Sequence, residues 1–524
     1  MVFVIPLGEF RSALAEAAHL KSATVAIVRT KINLAVPRQT GQRRLFLGVL
    51  VLSGILAALE LHTSWIQAHV LSSVASRMSF HVVREPGIPA APAIAGPFDV
   101  RLGYAQLRLA ITNLQKSGFQ VVAHARSSWV ERVAVKAGLP PIYREKTQAG
   151  LRIEDDRGRV LYNAVTPRRV YRDYDSIPQL VVQSLLFAEN REILDASTPY
   201  RNPTLEWKRL VRAVFDFGLH RIYRGHRVTG GSTVATQLEK LRHSEDGRTS
   251  SFPEKFRQMF AASLRTYING PRSLDARKQI VCDFINSLPL AATIDQGETR
   301  GVGDGLQDWF GANFDDDNRL LAMSDKEAEA AGRFEDRALA YREVLALLLA
   351  VKKPSGYLVK DRDALDRRVD SYLDLLAQNG LISQSLRNAA LRTKLSFRVP
   401  AARTHRAELS ERKAADAIRA RLLPVVGARD LYALDGFDLT IRTTLDQPTI
   451  EAVSRTLASL NDDRMAMKAG LFGEHLLSPG KTNGVVYSFT LYERSEGANV
   501  LRIQTDNSGQ PLNFNQGTKL ELGS

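Results

Sequence analysis

Three hydrophobic spacings alternate along the chain. The first is an uncharged run, LFLGVLVLSGILAAL from Leu45 to Leu59, which extends to Ile66 if Glu60 and His62 are tolerated near its far end. The 22 residues 45–66, at about 1.5 Å rise each, match a hydrocarbon core of about 30 Å, so this spacing predicts a transmembrane helix. The second spacing is helical and recurs at 177–189, 205–220, 232–242, 253–268, 275–288, 338–352 and 363–378, which predicts a helix-rich domain over 171–398. A stretch at 104–118 holds the same period only roughly, through Leu107, Leu109, Ile111 and Leu114. The third spacing alternates every second residue. It predicts a strand at FQVVAHA (119–125), a hairpin over 150–164 turning at Asp156-Arg157-Gly158, a strand in 436–446 and a hairpin from 485–493 to 499–505. The fold class expected is therefore mainly α, with a small α/β unit before the helical domain and a short β-containing segment after it.

Pro, Ala and Gly crowd residues 84–97 and mark a linker. The expected organisation is a basic tail 1–44, a membrane anchor 45–66, a linker 67–97, an α/β unit 98–170, the helical domain 171–398, a second linker 399–445 and a C-terminal segment 446–524. The tail holds seven Lys/Arg against Glu9 and Glu16, a net of +5 just before the apolar run. Under the positive-inside rule the N-terminus stays cytoplasmic, so the anchor lies in the cytoplasmic membrane and everything after about residue 67 is exported. A cleaved signal peptide fits less well because the leader is long, and the rival for the apolar run is a buried helix of a soluble domain.

Composition narrows the chemistry. Across 524 residues, 44% are apolar, which excludes a wholly disordered chain. Lys plus Arg number 71 and Asp plus Glu 56, and the resulting +15 calls for an anionic partner: nucleic acid, acidic lipid or a phosphorylated substrate. Cys282 is the one cysteine, which excludes an intrachain disulfide and a cysteine-based zinc site. The acidic run at Phe314–Asp317 is expected to be a solvated loop opening a surface insertion to about residue 335.

Three segments could carry chemistry. Glu189 follows the apolar Leu185-Leu186-Phe187-Ala188 at a helix C-terminus, where burial and the helix dipole both disfavour a charged carboxylate and favour a general base. The bland reading is a surface glutamate paired with Arg191. Gly230-Gly231-Ser232-Thr233 precedes a helix carrying Gln237 and Lys240, and free N–H groups beside hydroxyls bind anions. It is no Walker A loop, and an ordinary N-cap is the alternative. Residues 201–260 carry twelve Lys/Arg against six acids, a density suited to a phosphate or diphosphate. Nucleic acid would suit it too, yet an exported domain meets little of it.

Taken in order, these segments resemble the family 51 glycosyltransferases, the peptidoglycan polymerase domain of class A penicillin-binding proteins. Ala188-Glu189-Asn190-Arg191 resembles the family's Ala-Glu-Asp-Arg. Gly230, Ser232, Thr233, Gln237 and Lys240 match Gly-x-Ser-Thr-x-x-x-Gln-x-x-Lys. Glu254-Lys255-Phe256-Arg257-Gln258 aligns with Arg-Lys-x-x-Glu, residues 280–286 with Ile-Leu-x-x-Tyr-Leu-Asn, Trp309-Phe310-Gly311 with Tyr-Phe-Gly, and Glu343 through Lys353-Pro354-Ser355 with the last motif. The resemblance implies a lysozyme-like helical domain that joins lipid II, the undecaprenyl-pyrophosphate-linked disaccharide-peptide, into β-1,4 glycan strands with inversion. It implies Glu189 as the base, and Arg191, Gly230, Ser232, Thr233, Gln237, Lys240, Lys255 and Arg300 as substrate-binding residues. It implies membrane lipid, the growing glycan strand and other cell-wall enzymes as partners, nucleic acid as none, and a divalent cation, magnesium or manganese, as a cofactor.

Departures from the pattern fall at defined places. Gln258 stands at the family's second glutamate, Glu254 at the adjoining arginine and Asn190 at the acid after the first glutamate. Residues 439–446 resemble the joint to a transpeptidase domain, and Ser524 takes the place of that domain's nucleophile without its Ser-x-x-Lys motif. Two other readings follow: a catalytically weak or inactive scaffold that binds lipid-linked precursor, and a lysozyme-like glycan-cleaving site.

Overall fold

In the computed structural model, residues 40–87, 95–189, 191–204, 232–294, 296–399, 406–495 and 497–508 are described. The chain divides into two units, Met1–His62 and Thr63–Ser524. The first holds the apolar helix α1 (Thr40–Thr63), whose Leu47, Val51, Ile55 and Leu59 are exposed. Among the described residues no single helix is long and apolar enough to cross a membrane; α1 from Leu47 and the following α2 (Trp65–Ala75) meet that test only as a bent pair.

The second unit begins with α2, β1 (Phe80–Val83), α3 (Pro97–Arg101), α4 (Leu107–Lys116), β2 (His124–Ser127) and α5 (Trp129–Lys136). β1 and β2 pair antiparallel, Phe80 opposite Ser127 and Val83 opposite His124, so the region expected as a linker contains a helix and a strand. The strand expected at 119–125 forms only from His124, and Phe119 and Val122 before it stand exposed.

β3 (Leu151–Glu154) and β4 (Val160–Asn163) form the expected hairpin. Its turn is held by the buried Asp155 carboxylate, which accepts from the N–H groups of Arg157 (2.9 Å) and Arg159 (2.8 Å). Gly158, at φ 82°, supplies the left-handed residue that such a turn needs. A third strand joins from almost 300 residues later.

The helical domain follows: α6 (Gln179–Ala188), α7 (Val234–His243), α8 (Phe252–Thr266), α9 (Leu274–Ser287), the hairpin β5 (Pro289–Thr293) and β6 (Gly297–Arg300), α10 (Phe314–Ala322), α11 (Phe334–Ala350), α12 (Arg362–Gln378) and α13 (Gln384–Arg392). The helix expected at 205–220 lies outside the described residues. α11 is buried from Arg337 to Ala350 except at the half-buried Leu339, and it forms the axis of the main core. Its buried Arg342 is matched by Asp366 (2.7 Å), Asp370 (2.8 Å) and the Ala390 carbonyl (2.9 Å). The acidic run 314–317 is not a loop but the first turn of α10. Asn313 caps it by accepting from the N–H groups of Asp315 and Asp316, and three aspartates there suit the positive end of the helix.

The last elements are α14 (Arg406–Val426), α15 (Leu431–Asp435), β7 (Leu439–Arg442), α16 (Gln447–Ser459) and the antiparallel hairpin β8 (Ser488–Ser495) and β9 (Ala498–Asp506). β7 pairs parallel with β3, from Leu151 opposite Leu439 to Glu154 opposite Arg442, giving the sheet order β4-β3-β7. Leu151 and Ile153 share a core with Ala415, Val426, Leu434 and Phe437. The residues expected as a second linker therefore complete the small α/β unit.

A buried ion network ties the segment 97–145 to the helical domain. Glu145 accepts from Arg242 (2.6 Å), Arg265 (2.7 Å) and His243 (2.5 Å), and His243 also reaches Asp99 (3.2 Å). Gly96 permits the approach, since a Cβ there would sit 2.2 Å from the Arg242 carbonyl oxygen. Burial opposes charge on Glu145, but Arg265, His243 and Arg242 outweigh it and hold its carboxyl well below the usual range. Burial likewise opposes His243 protonation, yet Glu145 and Asp99 raise its pKa to about 9. The stabilisation from His243 is complete below the unfolded value of 6.5 and is lost as pH rises through about 9; that from Glu145 is complete above 4.5 and is lost as pH falls. Denaturant unfolding should therefore show greatest stability between these two values and a decline by pH 9. Glu145→Gln, which strands buried cations, should cost about 3–5 kcal/mol.

Candidate active site

α6 begins after Pro178, whose carbonyl accepts from Val181 (2.9 Å) and Val182 (3.2 Å), and the preceding turn is capped by Asp173 accepting from Ser176 N–H (2.8 Å). Val181, Val182 and Leu185 bury one face. The helix ends at Glu189, and packing of that face fixes where this carboxylate emerges. Its side chain is 13% exposed. Gln237 on α7 donates to Glu189 Oε2 at 3.0 Å, and Lys352, just past α11, brings its ammonium to 3.9 Å from Oε1.

α7 starts at Thr233, which exchanges hydrogen bonds with Thr236: Thr233 N–H to Thr236 Oγ1 at 2.9 Å, Thr236 N–H to Thr233 Oγ1 at 3.3 Å. Both threonines are buried. Thr233 therefore serves as the N-cap of α7. Gln237 and Lys240 follow at one-turn spacing on the same helix. Lys255, on α8, donates to Ser232 Oγ at 2.8 Å. Burial first, then the neighbouring Lys240 ammonium, push Lys255 below its ordinary value. Among the described residues no carboxylate lies within ion-pair distance of Lys240 or Lys255, so two cations repel each other where an anion would relieve both.

The remaining expected residues separate. Arg191 stacks its guanidinium on Phe187 at 4.0 Å. Gly230, Asn190 and Ser524 lie outside the described residues. Arg300 lies at the end of β6, paired with Glu298 at 2.5 Å, and lines a different groove. Glu254 is buried; burial alone would raise its pKa, but hydrogen bonds from the Ser250 hydroxyl (2.5 Å) and N–H (2.7 Å) hold it below the ordinary value. Gln258 is saturated: it accepts from Thr249 (3.0 Å) and donates to Ser244 (2.7 Å) and Glu254 (3.4 Å). An amide fits that position because the neighbours require both a donor and an acceptor.

These residues do not fit a divalent-cation site. Gln258 brings no charge, Glu254 is occupied by Ser250, and among the described residues no group of three or more His, Cys, Asp or Glu side chains could hold a metal ion. Lys352 was missed from sequence; its signal was its place beside Lys353-Pro354-Ser355 in the last motif. Glu343 on α11 is a second perturbed acid, raised to about 8 by burial and by Asp317.

Residues 157–377 match the transglycosylase family model, a span that opens in the β3–β4 turn and closes within α12. This stretch is a family 51 glycosyltransferase domain, a family of peptidoglycan glycosyltransferases whose substrate in general is a lipid-linked peptidoglycan precursor. No curated protein matches the chain.

Replacing Gln258 with glutamate removes the donor to Ser244 and sets a carboxylate beside Glu254. Gln258→Glu should lose about 1–3 kcal/mol in denaturant unfolding, with no gain in polymerase activity.

Proposed function

We propose that this protein polymerises lipid II at the cluster of Glu189, Gln237, Lys240, Lys255 and Lys352. Glu189 takes the proton from the acceptor sugar's 4-hydroxyl, and the freed oxygen forms a bond to the donor's anomeric carbon. The bond from that carbon to the diphosphate breaks with inversion, and the electron pair leaves with the diphosphate. Gln237, donating to Oε2 at 3.0 Å, and Lys352, whose ammonium lies 3.9 Å from Oε1, orient the carboxylate for that transfer. Lys240 and Lys255 take up the charge that develops on the leaving group, where fixed cations act most strongly. Neither magnesium nor manganese enters any step.

The observation that carries this reading is that Glu189 and the two-lysine pocket are joined through one helical turn, Gln237 to Lys240. The test is polymerisation of purified lipid-linked precursor by the detergent-solubilised protein. Glu189→Gln should lower the rate about 10²–10⁴-fold while precursor binding persists. Full activity in that variant removes the base assignment. Precursor binding without turnover by the unaltered protein supports the scaffold reading, which Gln258 and Asn190 favour.

The same reading anchors the protein in the cytoplasmic membrane with its N-terminus inside and the polymerase outside. Apolar side chains support a lipid-facing surface: Trp65, Ile66 and Val70 on α2, and Phe252, Phe256 and Phe260 at four-residue spacing on α8, are exposed, with the last two rings stacked 6.4 Å apart. Each phenylalanine contributes roughly 1.5–3 kcal/mol when buried in lipid. Phe256→Glu with Phe260→Glu should weaken association with anionic lipid vesicles at least about tenfold, read by flotation of the detergent-free domain after removal of residues 1–62.

A further inference from the structure

Away from the Glu189 cluster, α3, β4, β6, α15 and the loop after α14 enclose an open groove of about 1690 Å³. Its acids are largely matched. Asp308 is held by Arg168 (3.0 Å), Asp304 by the N–H groups of Arg168 (2.8 Å) and Arg169 (3.0 Å), and Asp416 by Arg419 (2.6 Å). Glu245 and Asp246 are exposed at its edge.

Arg101 is the exception. It ends α3, and its guanidinium stands 5.7 Å from the Phe98 ring centre with no ion pair among the described residues. Its Nε and Nη1 are buried without hydrogen-bond partners. Arg300 faces the same groove, paired with Glu298, and its buried Nε has no hydrogen-bond partner among the described residues. Burial, then repulsion from Arg300 and Arg242, lowers the Arg101 pKa to about 10. A buried donor left without an acceptor is disfavoured, and an uncompensated guanidinium more so, so an anion placed here relieves both. A planar fork of donors suits a carboxylate or phosphate, and Tyr162, Tyr432 and Phe437 offer apolar faces along the groove.

We propose that Arg101 and Arg300 form a second oxyanion subsite, separate from the Lys240–Lys255 pocket, for a carboxylate or phosphate group of an extended polar ligand lying in this groove.

The test is calorimetric titration of the full detergent-solubilised chain with two probes. Inorganic pyrophosphate reports a phosphate ligand; muramidase-released disaccharide-peptides, which carry carboxylates and no phosphate, report the other source. At least one probe should bind. Arg101→Gln and Arg300→Gln should each weaken it at least about tenfold, or ~1.4 kcal/mol. Arg101→Gln should leave the ligand-free protein no less heat-stable, because it removes an uncompensated charge. Because the lysine pocket also suits pyrophosphate, binding and its loss in the arginine variants are read in the Lys240→Gln/Lys255→Gln background, which should retain the groove's site. The proposal is overturned if neither probe binds, if Arg101→Gln binds as before or unfolds more easily without ligand, or if the lysine double variant abolishes binding. No arm depends on polymerisation, so failure here and failure of the polymerase reading are told apart.

Discussion

The buried carboxylate of Glu145 is the constraint on which the architecture depends. It sits among Arg242, His243 and Arg265, and so joins a segment before the helical domain to two helices within it. α7 ends in that network and begins at Thr233, with Gln237 and Lys240 between. Fixing one end of α7 by charge and the other by a reciprocal threonine cap sets the axial position of the side chains that meet Glu189. A low-dielectric ion cluster tolerates little displacement, because each partner left alone is strongly disfavoured.

Against this saturated network stand two places where charge is left over. Among the described residues, Lys240 and Lys255 lie together with no carboxylate at ion-pair distance, and Arg101 and Arg300 share a groove in which Arg300 pairs with Glu298. Around Glu145 the buried cations Arg242, His243 and Arg265 each meet a carboxylate, whereas among the described residues Lys240, Lys255 and Arg101 meet none within ion-pair distance. That contrast separates charges used for folding from charges directed at a ligand. It also explains why net charge alone points to an anionic partner but not to where it binds.

Much of the site was legible in the sequence because its parts lie on single helices. The apolar run before Glu189, the glycines and hydroxyls before α7, and the spacing of Gln237 and Lys240 are local patterns governed by one helical period. Thr233 shows the limit of such patterns: a hydroxyl at a helix start suits a cap and a ligand equally well, and only the structure shows that it caps α7. Gln258 read only as a departure from the family's second glutamate, and the structure adds that its three hydrogen bonds match it to Thr249, Ser244 and Glu254.

By itself the sequence determined the helices, the β3–β4 hairpin and the family of the central domain, since periodicity, turn residues and motif order act over short distances. Only the tertiary structure decided that β7 pairs with β3, that Glu145 meets His243, that Lys352 reaches Glu189, and that Arg300 stands in another groove. Those contacts join residues far apart in the chain, and their energy comes from burial and charge matching that no local window contains.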